Sequence, residues 1–126
     1  MKDTVIAVPS EAPGGLDALR SGHFGRCDAF TLVAVKAGQV VDSRVVPNGE
    51  HQEGGCLVPV ELLFREGATS LVVGGIGARP LQGFLDRGIE VLIGAGDRVR
   101  DVVDAYTTGA LRPITGGDVC GAHHHG

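Results

Sequence analysis

A chain of 126 residues with a formal net charge of −4 and a pI near 5.6 is long enough to bury one core of its own. Its acidity argues against a nucleic-acid or anionic-membrane binder, and the absence of Trp with few aromatics argues against a base-stacking surface. No run of about eighteen apolar residues is present to cross a bilayer, and Thr4–Val8 is too short for a signal region, so the expected location is the cytoplasm.

Thr4–Val8 is a β-branched run and reads as a first strand, buried on both faces. Pro9–Gly22 is rich in Gly, Pro and Ser and reads as a long loop, with a single helical turn around Leu16 and Leu19. Phe30–Val35 and Val40–Val46 read as strands joined by a tight Ala37-Gly38 turn, hence a hairpin. A polar loop, Pro47–Gly55, leads into a helix over Cys56–Glu66, with an apolar stripe at Leu57, Val60, Leu63 and Phe64. Pro59 suits its first turn and Gly67 its C′ position.

Ser70–Val73 reads as a central strand, Gly74–Gly77 as a turn, and Ala78–Arg87 as a second helix. Ile89–Ile93 is a further strand. After the Gly94-Ala95-Gly96 turn, Asp97 is the expected N-cap of a third helix that runs to Thr107. Beyond Gly109 periodicity is lost. The expected organisation is one domain over 1–109 and a flexible Cys/His-rich tail over 110–126.

The order β-β-β-α-β-α-β-α implies an α/β fold: a mixed five-stranded sheet with helices on both faces. Two antiparallel steps followed by right-handed crossovers make strands one, three, four and five point the same way. Their carboxyl ends then share one edge, where open α/β sheets bind ligands. The loops holding His23, Cys27 and Cys56, and the Gly-rich turns, are therefore expected at one mouth.

Three cysteines distant in sequence do not suggest a disulfide framework and leave free or metal-bound thiols. Ser21-Gly22-His23-Phe24-Gly25-Arg26-Cys27 sets an imidazole and a thiol four residues apart, both ligand types for transition metals and iron–sulfur clusters. A polar loop with an incidental thiol, turned into the core, is the other reading of Cys27. Cys56 sits at an expected helix N-terminus, which favours its thiolate; a small buried residue beginning a helix is the alternative. Gly75 and Gly77 expose amides able to meet an anion, and Arg79 adds a positive charge or is an ordinary solvated side chain. Cys120 with His123, His124 and His125 is a dense set of donor types, and the span from Thr108 is long enough to return to the mouth. His51, between Glu50 and Glu53, reads as part of a solvated loop.

His23-Phe24-Gly25-Arg26-Cys27 after a first strand, Gly54-Gly55-Cys56, and Val73–Leu81 followed by Gly88-Ile89 resemble the dinitrogenase iron–molybdenum cofactor biosynthesis family (NifX/NafY-like domains and the C-terminal domain of NifB). The resemblance covers about Thr4 to Tyr106. It implies a ribonuclease H-like fold without nuclease activity. It further implies binding of iron–sulfur or iron–molybdenum cofactors or their precursors, and transfer between donor and acceptor proteins. His23 corresponds to the family's best candidate cluster ligand, whereas Cys56 and the tail are not general to the family.

The leading expectation is thus a non-catalytic carrier or scaffold for a metallocluster. His23 and Cys27 would be its ligands, assisted by Cys56 and the tail. The alternative is a regulatory or interaction domain that binds a simple metal ion such as zinc, or a small anion. A phosphoesterase is disfavoured, because strand one carries only Asp3 and the later central strands carry none of the carboxylates that two-metal chemistry requires.

Overall fold

The computed structural model describes residues 4–22, 24, 27–48, 57–94 and 96–114, together with the backbone of 119–120. Strands β1 (Thr4–Ser10), β2 (Ala29–Lys36) and β3 (Gln39–Pro47) come first. Helix α1 (Val58–Arg65), strands β4 (Ser70–Val73) and β5 (Ile76–Gly77) and helix α2 (Ala78–Asp86) follow. The chain continues through β6 (Glu90–Ile93), α3 (Val99–Thr107), β7 (Arg112–Pro113) and β8 (Val119–Cys120).

The main sheet has the order β3-β2-β1-β4-β6-β7. β1 is parallel to β4, and β4 to β6. β2 is antiparallel to both β1 and β3, so β1, β3, β4 and β6 run the same way, as the crossover argument requires. Side chains alternate between two cores because successive residues of a strand face opposite ways. Ala7, Leu32, Leu71, Val73 and Val91 pack with Val60 and Leu63 of α1 and Phe84 of α2. Ile6, Val8, Val33, Val72 and Leu92 pack with Val99, Val102 and Val103 of α3. Helices therefore cover both faces, which explains why β4 is apolar at every position except Ser70.

Local signals account for the boundaries. Ala37 (φ 55°) and Gly38 (φ 80°) form the tight hairpin turn. Gly67 and Gly88, with φ of 90° and 77°, follow the C-caps of α1 and α2, in the left-handed conformation that glycine adopts without steric cost.

Five expectations require correction. The sheet has six strands, not five, because Arg112 and Pro113 pair antiparallel with Ile93 and Leu92. Proline tolerates this place because an edge strand does not need its N–H. Residues 110–126 are thus not simply a tail: β7 is in the sheet, and Ile114 packs against the core. Ile76–Gly77 is not a plain turn but a strand, paired in parallel with Val119–Cys120 in a separate two-stranded sheet. Lastly, no helical turn forms at Leu16–Leu19, and α3 is capped by Arg98 rather than Asp97, since Asp101 accepts from the Arg98 amide at 3.2 Å.

Gly94, just past β6, has no room for a side chain. A Cβ there would lie 2.2 Å from Cγ1 of the fully buried Val72. Gly94→Ala is expected to destabilise the fold by roughly 1–3 kcal/mol, as overpacking does. Gly22→Ala, whose Cβ would meet nothing, should stay within about 0.5 kcal/mol of the parent. Urea unfolding of the two variants checks this.

Candidate functional site

The carboxyl ends of β1, β3, β4 and β6 define the expected mouth. Its floor is set by a small buried hydroxyl network. Ser10 Oγ donates to the Val8 carbonyl at 2.8 Å and lies 2.8 Å from Thr31 Oγ1. Thr31 Oγ1 also accepts from the Gly15 amide at 3.0 Å. The loop after β1 then doubles back: the Glu11 amide bonds the Leu19 carbonyl at 2.9 Å, and the Ser21 amide bonds that of Pro9 at 2.8 Å. These bonds give an otherwise irregular segment a fixed course along the edge.

Arg20 is the residue that this loop delivers. Its amide donates to the Asp97 carbonyl at 2.8 Å, and its Nε donates to the Gly96 carbonyl at 3.0 Å. Its Nη1 lies only 3.0 Å from where a Cβ would stand on Gly74. One guanidinium therefore bridges the turns that follow β4 and β6. It lines a cavity of about 310 Å³ together with Glu11, Leu19, Gly96, Asp97 and Arg98. A half-buried cation with spare donors is suited to an anionic ligand.

Phe24 anchors the next segment. Its ring is buried, 5.7 Å from Phe30 on β2 and 5.4 Å edge-on from Phe84 on α2. Edge-on aromatic pairs add stabilisation beyond their buried area. His23, Gly25 and Arg26 lie outside the described residues.

Cys27 takes the inward orientation. It is 5% exposed and packs in the core with Phe24 and Phe30. Its Sγ donates to the Phe24 carbonyl at 3.3 Å, and Asn48 Nδ2 donates to its own carbonyl at 2.9 Å. Burial pushes the thiol up to about 11, against partial relief from hydrogen bonds at Ser10 and Asn48. At neutral pH, with no metal bound, the thiol keeps its proton and packs in the core.

Among the other expected site residues, Gly75 is half-buried and Arg79 is exposed in the first turn of α2. Gly77 is the N-cap of α2, and a Cβ there would make only ordinary contact with Pro80. The backbone of Cys120 lies beside Gly77 through the β5–β8 pairing, so the far end of the sequence returns to the Gly-rich turn. Cys56, His51, His123, His124 and His125 lie outside the described residues. Among the described residues, no three His, Cys, Asp or Glu side chains gather as a metal site.

Sequence reasoning missed Arg20 and the anchoring role of Phe24. A lone Arg in a loop carries no periodic signal. Phe24, an aromatic between two near-adjacent glycines, did carry one: a large apolar side chain in a polar loop needs somewhere to be buried.

A family model described as "Dinitrogenase iron-molybdenum cofactor" matches residues 3–109. Among solved structures, the apo form of the orange protein from Desulfovibrio gigas is 29% identical, with a TM-score of 0.77 over 89% of this chain and 93% of that one. The protein PH0822 is 30% identical, with a TM-score of 0.74 over 88% and 96%. "Uncharacterized protein MJ0580" of Methanocaldococcus jannaschii is 25% identical over 95 residues, 72% of this chain and 79% of its own length.

Burial of Cys27 makes stability depend on pH in the alkaline range. Below pH 9.0, the ordinary thiol value, both states keep the proton and the full stability is present. Above it the unfolded chain loses its proton, while the folded chain holds on up to about pH 11. Stability should therefore fall across that window, by roughly 2–3 kcal/mol in all. Cys27→Val should remove this part of the slope in urea titrations run from pH 8 to pH 11, while the other cysteines contribute equally to both proteins.

Proposed function

Because the chain belongs to the dinitrogenase iron–molybdenum cofactor family, we propose that it binds and carries an iron–sulfur or iron–molybdenum type cluster, or a precursor of one. The cluster is cargo, received from a donor protein and passed to an acceptor, and no bond of it is made or broken by catalysis here. The observation that carries this reading is the parallel pairing of Ile76–Gly77 with Val119–Cys120. It supports a mouth shared by the backbone at the end of the sequence and the Gly-rich segment after β4. In this reading His23 and Cys120 are the principal ligands, and Cys56, His123, His124 and His125 supplement them. Cys27 supports the loop from within the core.

Arg20 favours this cargo over the alternative, a bare cation such as zinc. Sulfide-bridged clusters are anionic, and a guanidinium fixed between Gly74 and Gly96 attracts such a cluster while repelling a simple metal ion. The amides at the first turn of α2 add donors of the same sign. A carrier must also let go, and a two-residue strand pair is cheap to open.

Anaerobic reconstitution with ferrous iron and sulfide tests the reading. The expected result is a visible charge-transfer band that is lost in His23→Ala, weakened in Cys120→Ala and retained in Cys27→Val. Zinc without iron or acid-labile sulfide, in protein isolated without air, would instead identify the metal-ion alternative.

A further inference from the structure

We propose that the free edge of β3 is a homodimerisation surface, on which the β3 strands of two copies pair antiparallel about a two-fold axis at Ser43. Among the described residues β3 ends the main sheet and pairs only with β2, so one side of its backbone faces outward. Almost every residue of it is exposed. Val40, Val41 and Val45, at 43%, 59% and 40% exposure, are its exposed large apolar side chains.

The occupant follows from the order of residues along this edge. Val40-Val41-Asp42-Ser43-Arg44-Val45-Val46 is self-complementary when reversed. Antiparallel pairing about Ser43 sets each Asp42 opposite the partner's Arg44, and each Val41 opposite the partner's Val45. Two ion pairs and two apolar pairs thus form at once, as an isologous contact demands: residue i meets j, and j meets i. Shifting the register by two residues would destroy both sets.

The local geometry is compatible with this arrangement. Asp42 pairs with Ala34 and Arg44 with Leu32 in the β2–β3 ladder, so both charges stand on the sheet face that carries α1 and α2. Arg44 bonds the side chain and the carbonyl of Glu66 at the end of α1, which pins it at the edge. A guanidinium has five donors, and those not turned to Glu66 can meet a partner's carboxylate. The Ser43 amide is met by Asp42 Oδ1 at 2.9 Å, a local bond that a strand partner would replace. The register shift next to Asp42 leaves Val41 without a partner on β2, and this bulge confines regular pairing to a short stretch. The contact is consequently small, and the dimer is a weak one.

Sedimentation of the full chain tests the proposal at concentrations from about 10 µM to about 1 mM, where interfaces below about 1,200 Å² associate. The wild-type chain should pass from monomer to dimer. Asp42→Arg, which places Arg against Arg twice, should weaken association by about tenfold or more. The double exchange Asp42→Arg with Arg44→Asp restores both pairs and should recover it. A second measurement does not depend on that variant folding. Ser43→Cys lies on the axis and should cross-link to its own copy under mild oxidation faster than Val45→Cys, judged against the wild-type chain. A wild-type chain that stays monomeric to 1 mM, a dimer indifferent to Asp42→Arg, or equal cross-linking at positions 43 and 45 would each overturn the proposal.

Discussion

The contact on which the site depends is the burial of one phenyl ring. Phe24 enters the core between Phe30 and Phe84 and so ties the loop after β1 to the sheet and to α2 at the same time. A fully buried aromatic is worth several times the energy of a surface polar contact. Without it the loop would be held only by hydrogen bonds such as those of Ser10 and Thr31, each of modest net value. The ring also sets the spacing between the two core-facing ends of the segment, Ser21 and Cys27, both of which are buried. An apolar constraint thus fixes the described part of that loop at Ser21, Phe24 and Cys27.

Two further constraints complete the frame. The parallel alignment of β1, β4 and β6 stacks their carboxyl ends, and Arg20 reaches across the turns that follow the last two. The sign of the local charge is mixed, with Glu11 and Asp97 beside Arg20 and Arg98. The carboxylates stay on the rim, while the guanidinium of Arg20 reaches over backbone that carries no side chain at Gly74. That arrangement sets a local positive charge by position, within a chain whose net charge is −4.

Much of this was legible in the sequence, for a physical reason. β-branched runs such as Thr4–Val8, and helices closed by Gly67 and Gly88, follow local rules that tertiary structure rarely overrides when they agree with one another. Strand direction followed from connection length, and with it the shared edge. What escaped were elements held by partners rather than by pattern. Arg112–Pro113 and Ile76–Gly77 are two residues each, too short for any periodicity, and exist because β6 and β8 lie beside them. The inward turn of Cys27 was one of two open readings, since a residue preceding a strand can point either way and only the packing of Phe24 and Phe30 decides between them. Arg20 was invisible because its importance lies in two glycines far along the chain.

The burial of Cys27 has a consequence for life in oxygen. Peroxide attacks the thiolate, not the thiol, and a cysteine forms sulfenic acid in proportion to its ionised fraction and its exposure. Both are low here: Cys27 is buried in the core cluster with Phe24 and Phe30 and keeps its proton well above neutral pH. The core can thus meet air and keep this sulfur reduced. The packing that anchors the loop through Phe24 is thereby spared oxidative damage at its one neighbouring described thiol.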